Sequence, residues 1–135
     1  MLKKILSNQA LNTDLALLIL RLGISFLMAR HGYDKLQTLL SGSSDFPDPL
    51  HIGGQASLFL TVFAEFFCSL LLGLGLLSRL STIPLIICML VIVFVLNAGS
   101  PLDETEHALL YVLGYLCIFF AGSGRYSIDA VWLKK

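Results

Sequence analysis

Apolar residues along this chain come in four long blocks, separated by short stretches rich in Gly, Ser, Asp and Pro. The blocks predict helices at about 12–38, 56–77, 81–97 and 104–121. Runs this apolar are read as helices crossing a bilayer, because a helix satisfies its own backbone in hydrocarbon. The polar punctuation agrees: SGSSDFPDPLHIGG is a loop, and LSRLST is short enough to make the second and third helices an antiparallel hairpin. Pro84 is expected in the first turn of helix three, where its missing N–H costs little. Asp103 followed by Glu106 has the spacing of a capping box opening helix four. The fold class is therefore all-α, an integral membrane four-helix bundle in one domain spanning 1–135.

Composition sharpens this. The 135 residues are 56% hydrophobic and 13% charged, too greasy for a soluble domain of this length. The formal net charge is zero, with no basic stripe and no Gly-rich phosphate loop, so no nucleic-acid partner is expected. Cys68, Cys88 and Cys117 lie singly inside apolar runs, which excludes a CxxC redox centre. The N-terminus carries two lysines but no apolar core with a cleavage site, so helix one is expected to serve as an uncleaved insertion signal. Lys3, Lys4, Arg79, Arg125, Lys134 and Lys135 fall on one side of the bundle. Lys35 and Arg30 lie on the other, with Asp45, Asp48, Asp103 and Glu104. The positive-inside rule then places both termini in the cytoplasm.

Two charges interrupt the apolar blocks. Arg21 sits in LALLILRLGISFLMA and Glu65 in LTVFAEFFCSLLL. Either alone costs about 2.5–3.5 kcal/mol at a helix centre on insertion scales. With helix one spanning 11–30 and helix two 56–77, both come near mid-depth on neighbouring helices, so the expected counter-ion of Glu65 is Arg21. Arg21, Ser25, Met28, Gly32 and Lys35 share one helical face, and Thr61, Glu65, Cys68 and Ser69 share another. Facing each other they form a polar seam, which serves either as structural glue between helices or as a ligand or proton site. A second polar group, His31, His51, Glu106 and His107, gathers at the outer end. Its spacing matches no compact ligand motif, and no metal is expected. Tyr33, Tyr126 and Trp132 are expected as interface anchors. GSGRYSID at 122–129 stops helix four and begins a short, partly ordered tail.

RLGISFLMARHGYDKL resembles the first-helix motif of the DoxX family. FAEFFCSLLLGLGLLSRLSTIPLI is similar to its second motif, and EHALLYVLGYLCIFFAGSGRYSID to its last. The resemblance runs over roughly residues 12–130, departing from the usual pattern at Ser78 and Ser123. It implies a small four-helix protein of the bacterial inner membrane, with motif positions at Arg21, His31, Gly32, Lys35, Glu65, Arg79 and Glu106. Gly32 and Arg79 among them are expected to be structural. Founding members are linked to quinone-coupled sulfur oxidation and other relatives to membrane oxidoreductase complexes. The resemblance therefore implies a subunit of, or accessory to, a quinone-linked oxidoreductase. Its seam of Arg21, His31, Lys35, Glu65 and Glu106 would face a quinone, with Arg21 or His31 donating to it and Glu65 or His31 relaying protons. Any redox cycle needs a partner subunit, since no flavin or nicotinamide fingerprint is present. A non-catalytic membrane scaffold, and a transport or proton-conduit accessory built as a homo-oligomer, are the alternatives.

Overall fold

The computed structural model describes residues 1–42, 48, 51–96, 99 and 102–132, with side chains in the last stretch from residue 105 onward. Among these residues there is no strand. The first long helix, α2, spans Thr13–Leu40, after a single turn, α1, at Leu2–Ile5. Asn12 caps α2 through its side-chain oxygen, which accepts from the Leu15 amide at 3.0 Å. The second span is one rod in three parts: α3 at Gly54–Val62, a π-helical stretch at Phe63–Cys68, and α4 at Ser69–Leu74. The third is α5 at Ser78–Val91, followed by a second π-helical stretch at Ile92–Leu96. The fourth, α6, covers Leu102–Ala121, and a short α7 follows at Ile128–Trp132. Three spans are long and apolar enough to cross a membrane, and the apolar part of α6, Thr105–Ala121, is shorter.

The bundle is apolar outside, as a bilayer solvent requires, and keeps its intramembrane polar side chains inside. Arg21, Ser25, Glu65, Ser69, Ser81 and Thr82 are buried, whereas Ile19, Phe26, Phe59, Phe67, Ile87 and Phe120 stand exposed on the surface. The core between them is built from Ile24, Met28, Cys68, Leu72, Leu85, Met89, Val112, Tyr115 and Ile118. Of the two faces expected of the seam, Arg21, Ser25, Met28 and Gly32 are buried on α2 and Glu65, Cys68 and Ser69 on the second span, while Lys35 and Thr61 are half-buried.

Several boundaries differ from the sequence expectation. The second helix ends at Leu74, because Gly75 takes a left-handed conformation at φ 73°. Leu76 N–H then bonds the Leu71 carbonyl at 2.9 Å and Gly75 N–H the Leu72 carbonyl at 3.0 Å, a Schellman stop. The third helix starts at Ser78, so Pro84 lies inside it instead of in its first turn. Pro84 supplies no N–H for the Leu80 carbonyl, a break that membrane helices tolerate where neighbours compensate. Helix α6 begins at Leu102, so Asp103 is within the helix and not before it. The side chains of Asp103 and Glu104, like Asp45, Lys134 and Lys135, lie outside the described residues.

Candidate functional site

The expected Arg21–Glu65 pair does not form. Glu65 is instead held by Lys35, whose Nζ lies 2.7 Å from one carboxylate oxygen and donates to the other at 2.8 Å. Glu65 is 2% exposed and Lys35 30%, so the pair runs from the bundle interior toward its edge. The correction comes from register. Gly32, not a residue near Arg21, packs against the backbone of Glu65 and Phe66. Arg21 lies eleven residues before Gly32 on the same helix, about 16 Å away at 1.5 Å per residue. A 28-residue α2 is about 42 Å long, more than the hydrocarbon thickness. Helix α2 continues through Lys35 to Leu40, as the predicted 12–38 span allows and the shorter 11–30 span used to pair Arg21 with Glu65 did not, and so delivers an ammonium to the carboxylate.

Gly32 makes this possible. A Cβ at position 32 would stand 2.5 Å from the Phe66 amide nitrogen and 2.7 Å from the Glu65 carbonyl carbon. Only a residue without one lets the two backbones meet, as small residues do between membrane helices. Glu65 itself sits in the π-helical stretch, whose extra residue per turn re-aims side chains and recurs at functional sites.

Lys35 of the ion pair lines a cleft of about 340 Å³ between α2, the second span and α5. Lys35, Ser57, Thr61 and Cys88 are the polar residues lining it, and the rest are apolar or Pro84. Cys88 Sγ lies 3.9 Å from Glu65 Oε1. Leu60, Phe63 and Ile87 line the cleft and are exposed on the outer surface, so it opens sideways toward lipid. Asp48 closes the loop above: its carboxylate accepts from the Ile52 and Gly53 amides at 2.9 and 2.7 Å and from the Ser57 hydroxyl at 2.8 Å.

Arg21 belongs to a different structure at the other end of the bundle. Its Nε donates to the Gly73 carbonyl at 3.3 Å, and its two terminal nitrogens to the carbonyls of Ser123 and Tyr126 at 2.6 and 2.7 Å. Asp129 lies within electrostatic range of it and accepts from the Leu77 and Ser78 amides at 2.7 and 2.9 Å, capping α5. A Cβ on Gly75 would collide with the side chain of Ser127. Arg79 Nε donates to the Phe119 carbonyl at 2.9 Å and so satisfies the end of α6. The 122–129 segment, expected as a partly ordered tail, is thus the clasp that ties α2, α4, α5 and α6 together.

Other expected site residues stay apart from the ion pair. His31 is exposed and meets the edge of Tyr111, with ring centroids 6.5 Å apart. Glu106 is exposed near the start of α6. Among the described residues no three His, Cys, Asp or Glu side chains come together as a metal-holding group. Ser57 and Asp129 were given no role from the sequence, and Asp48 and Cys88 were noted only as an outer-side acid and a lone cysteine. Only Asp129 carried a signal, as the last position of the quoted GSGRYSID ending.

A family model described as DoxX matches residues 16–98, more than half of the chain. The matched stretch holds Arg21, His31, Gly32, Lys35, Glu65 and Arg79, while α6 with Glu106 and the 122–129 ending lie beyond it. No curated protein and no solved structure matches the chain. With its membrane-spanning apolar helices, its inward-facing polar seam and this match, the chain is a multi-pass membrane protein that belongs to the DoxX family.

Proposed function

We propose that this protein binds a quinone, or a redox partner of the same amphipathic kind, in the cleft beside Lys35 and Glu65. In this reading it serves as a subunit of, or accessory to, a quinone-linked oxidoreductase of the bacterial inner membrane. The observation that carries it is one cationic donor, Lys35, bordering an otherwise apolar cleft that opens to lipid. A ligand with a polar ring and a long tail fits such a site: ring inside, tail in the bilayer. Lys35 replaces Arg21 and His31 as the donor to the ring, because all three bonding nitrogens of Arg21 are engaged by carbonyls elsewhere. Glu65 holds the ammonium in place and balances its charge. A quinone would supply electron and proton acceptance at its ring oxygens, and Lys35 would stabilise charge there.

Basic residues support the orientation with both termini in the cytoplasm. Arg79 and Arg125 lie at the clasp end with the N-terminus of α2, where Asp14 accepts from the Arg125 amide at 3.0 Å, and Lys35 lies toward the other end. The cleft would then face the outer leaflet.

The test is to purify the full chain from membranes into lipid nanodiscs and measure retained quinone and the shift of thermal midpoint on adding a decyl-tailed benzoquinone. Retention and a rise that is lost in Lys35→Met support the reading. No retention and no shift overturn it. The scaffold reading is favoured by a separate observation, the wholly structural engagement of Arg21. It predicts that Lys35→Met/Glu65→Met stays folded and leaves the cellular phenotype unchanged.

A further inference from the structure

The hydrogens of the cleft's hydroxyls have fixed directions. Ser57 Oγ donates to a carboxylate oxygen of Asp48 at 2.8 Å, and Thr61 Oγ1 donates to the Ser57 carbonyl at 2.8 Å. Neither acceptor can donate in return, so both hydroxyl protons point away from any ligand. What Ser57 and Thr61 offer a ligand is lone pairs. Lys35 has three N–H groups, and Glu65 occupies two directions at most, at 2.7 and 2.8 Å. What Lys35 offers is a hydrogen. The Cys88 thiol is directed at Glu65 Oε1, 3.9 Å away, so the polar part of the cleft offers a ligand one ammonium donor and two hydroxyl acceptors.

That inventory distinguishes the two oxidation states of a ring ligand. A ring hydroxyl accepts from an ammonium and donates its own proton to a neighbouring lone pair at once. A ring carbonyl accepts only, and leaves the oxygens of Ser57 and Thr61 facing another lone pair. We infer that the cleft prefers the reduced, hydroxyl-bearing form of its ligand, a hydroquinone, over the oxidised form. Lys35 donates to the ring oxygen, and Ser57 or Thr61 accepts from its hydroxyl. The inference rests on the quinone reading above and adds the redox state that the site selects.

The experiment compares two probes, a decyl-tailed benzoquinone and its chemically reduced hydroquinone, by equilibrium binding to the full chain in detergent under anaerobic conditions. One additional hydrogen bond in a site screened from water corresponds to a preference of about tenfold for the hydroquinone. Thr61→Val and Ser57→Ala each remove one acceptor. In at least one of them the preference should fall to about twofold or less, as hydroquinone loses its acceptor. Ligand-free thermal midpoints establish that both variants are folded. Lys35→Met should weaken both forms together. Equal affinities in the unsubstituted protein, tighter benzoquinone binding, or a preference that survives both substitutions would overturn the inference and leave the quinone reading standing. Binding of neither form overturns both.

Discussion

Gly32 and Phe66 meet backbone to backbone, so closely that a Cβ on the glycine would lie 2.5 Å from the Phe66 amide nitrogen. Neither side can yield, because the obstacle is main chain within a helix. Gly32→Ala should therefore destabilise the bundle by about 1–3 kcal/mol, the usual cost of overpacking. It should also push Glu65 away from Lys35. Gly23→Ala is the control, since a Cβ there meets nothing within 4 Å and Ala favours helix. Thermal unfolding of both variants in nanodiscs decides the matter, and equal midpoints would count against the close approach.

The Lys35–Glu65 pair predicts a non-additive mutant cycle. Lys35→Met leaves a carboxylate that is 2% exposed without its counter-ion, and Glu65→Met strands the ammonium. Each single change should cost roughly 3 kcal/mol, toward the lower end for a broken buried pair because Lys35 keeps part of its side chain exposed. The double change should recover most of that loss. Unfolding free energies of the four proteins, measured in the same detergent, give the coupling directly. An Arg21→Met/Glu65→Met cycle should show no coupling, since those residues lie in separate networks.

Arg21 is predicted to control the C-terminal clasp. Arg21→Lys keeps the charge but cannot span the carbonyls of Gly73, Ser123 and Tyr126 at once, as a guanidinium does. Each hydrogen bond from a charged donor is worth about 1.5–3 kcal/mol when buried. The expected result is faster protease cleavage and faster amide exchange within 122–132, with exchange around Lys35 and Glu65 unchanged. Unchanged exchange in that segment would show that the clasp holds without Arg21.

Asp48 supplies a pH dependence outside the membrane-spanning segments. Burial tends to raise its pKa. The hydrogen bonds from the Ser57 hydroxyl and the Gly53 and Ile52 amides outweigh that and hold it below the ordinary aspartate value. With the folded pKa depressed, the carboxylate's contribution is complete above the unfolded pKa and is lost as pH falls through the folded one. Protection of the Ile52 and Gly53 amides, taken relative to their intrinsic exchange rates, should thus be flat at neutral pH and fall only below about pH 4. Asp48→Asn should abolish that acid step, which peptide-resolved exchange would reveal.

Much of the architecture was legible in the order of residues. Arg21, Ser25, Met28 and Gly32 at helical spacing named the inward face of α2, and Thr61, Glu65, Cys68 and Ser69 named the face opposite. The partner of Glu65 was not legible. Periodicity assigns a residue to a face, but the axial offset between two helices depends on where each begins and on where their backbones can touch. Gly32 set that offset, and its effect is visible only once Phe66 is beside it.

The sequence by itself determined that this chain is a bundle of apolar helices, because hydrocarbon penalises every unpaired backbone group and leaves helix as the open solution. It also determined that buried charges needed partners, and which residues were close at hand in kind. Only the tertiary structure decided that Lys35 neutralises Glu65, that Arg21 grips three carbonyls, and that Asp129 caps α5. Those choices depend on distances of a few ångströms between segments as many as 105 residues apart, and electrostatic and hydrogen-bond energies change steeply over that range.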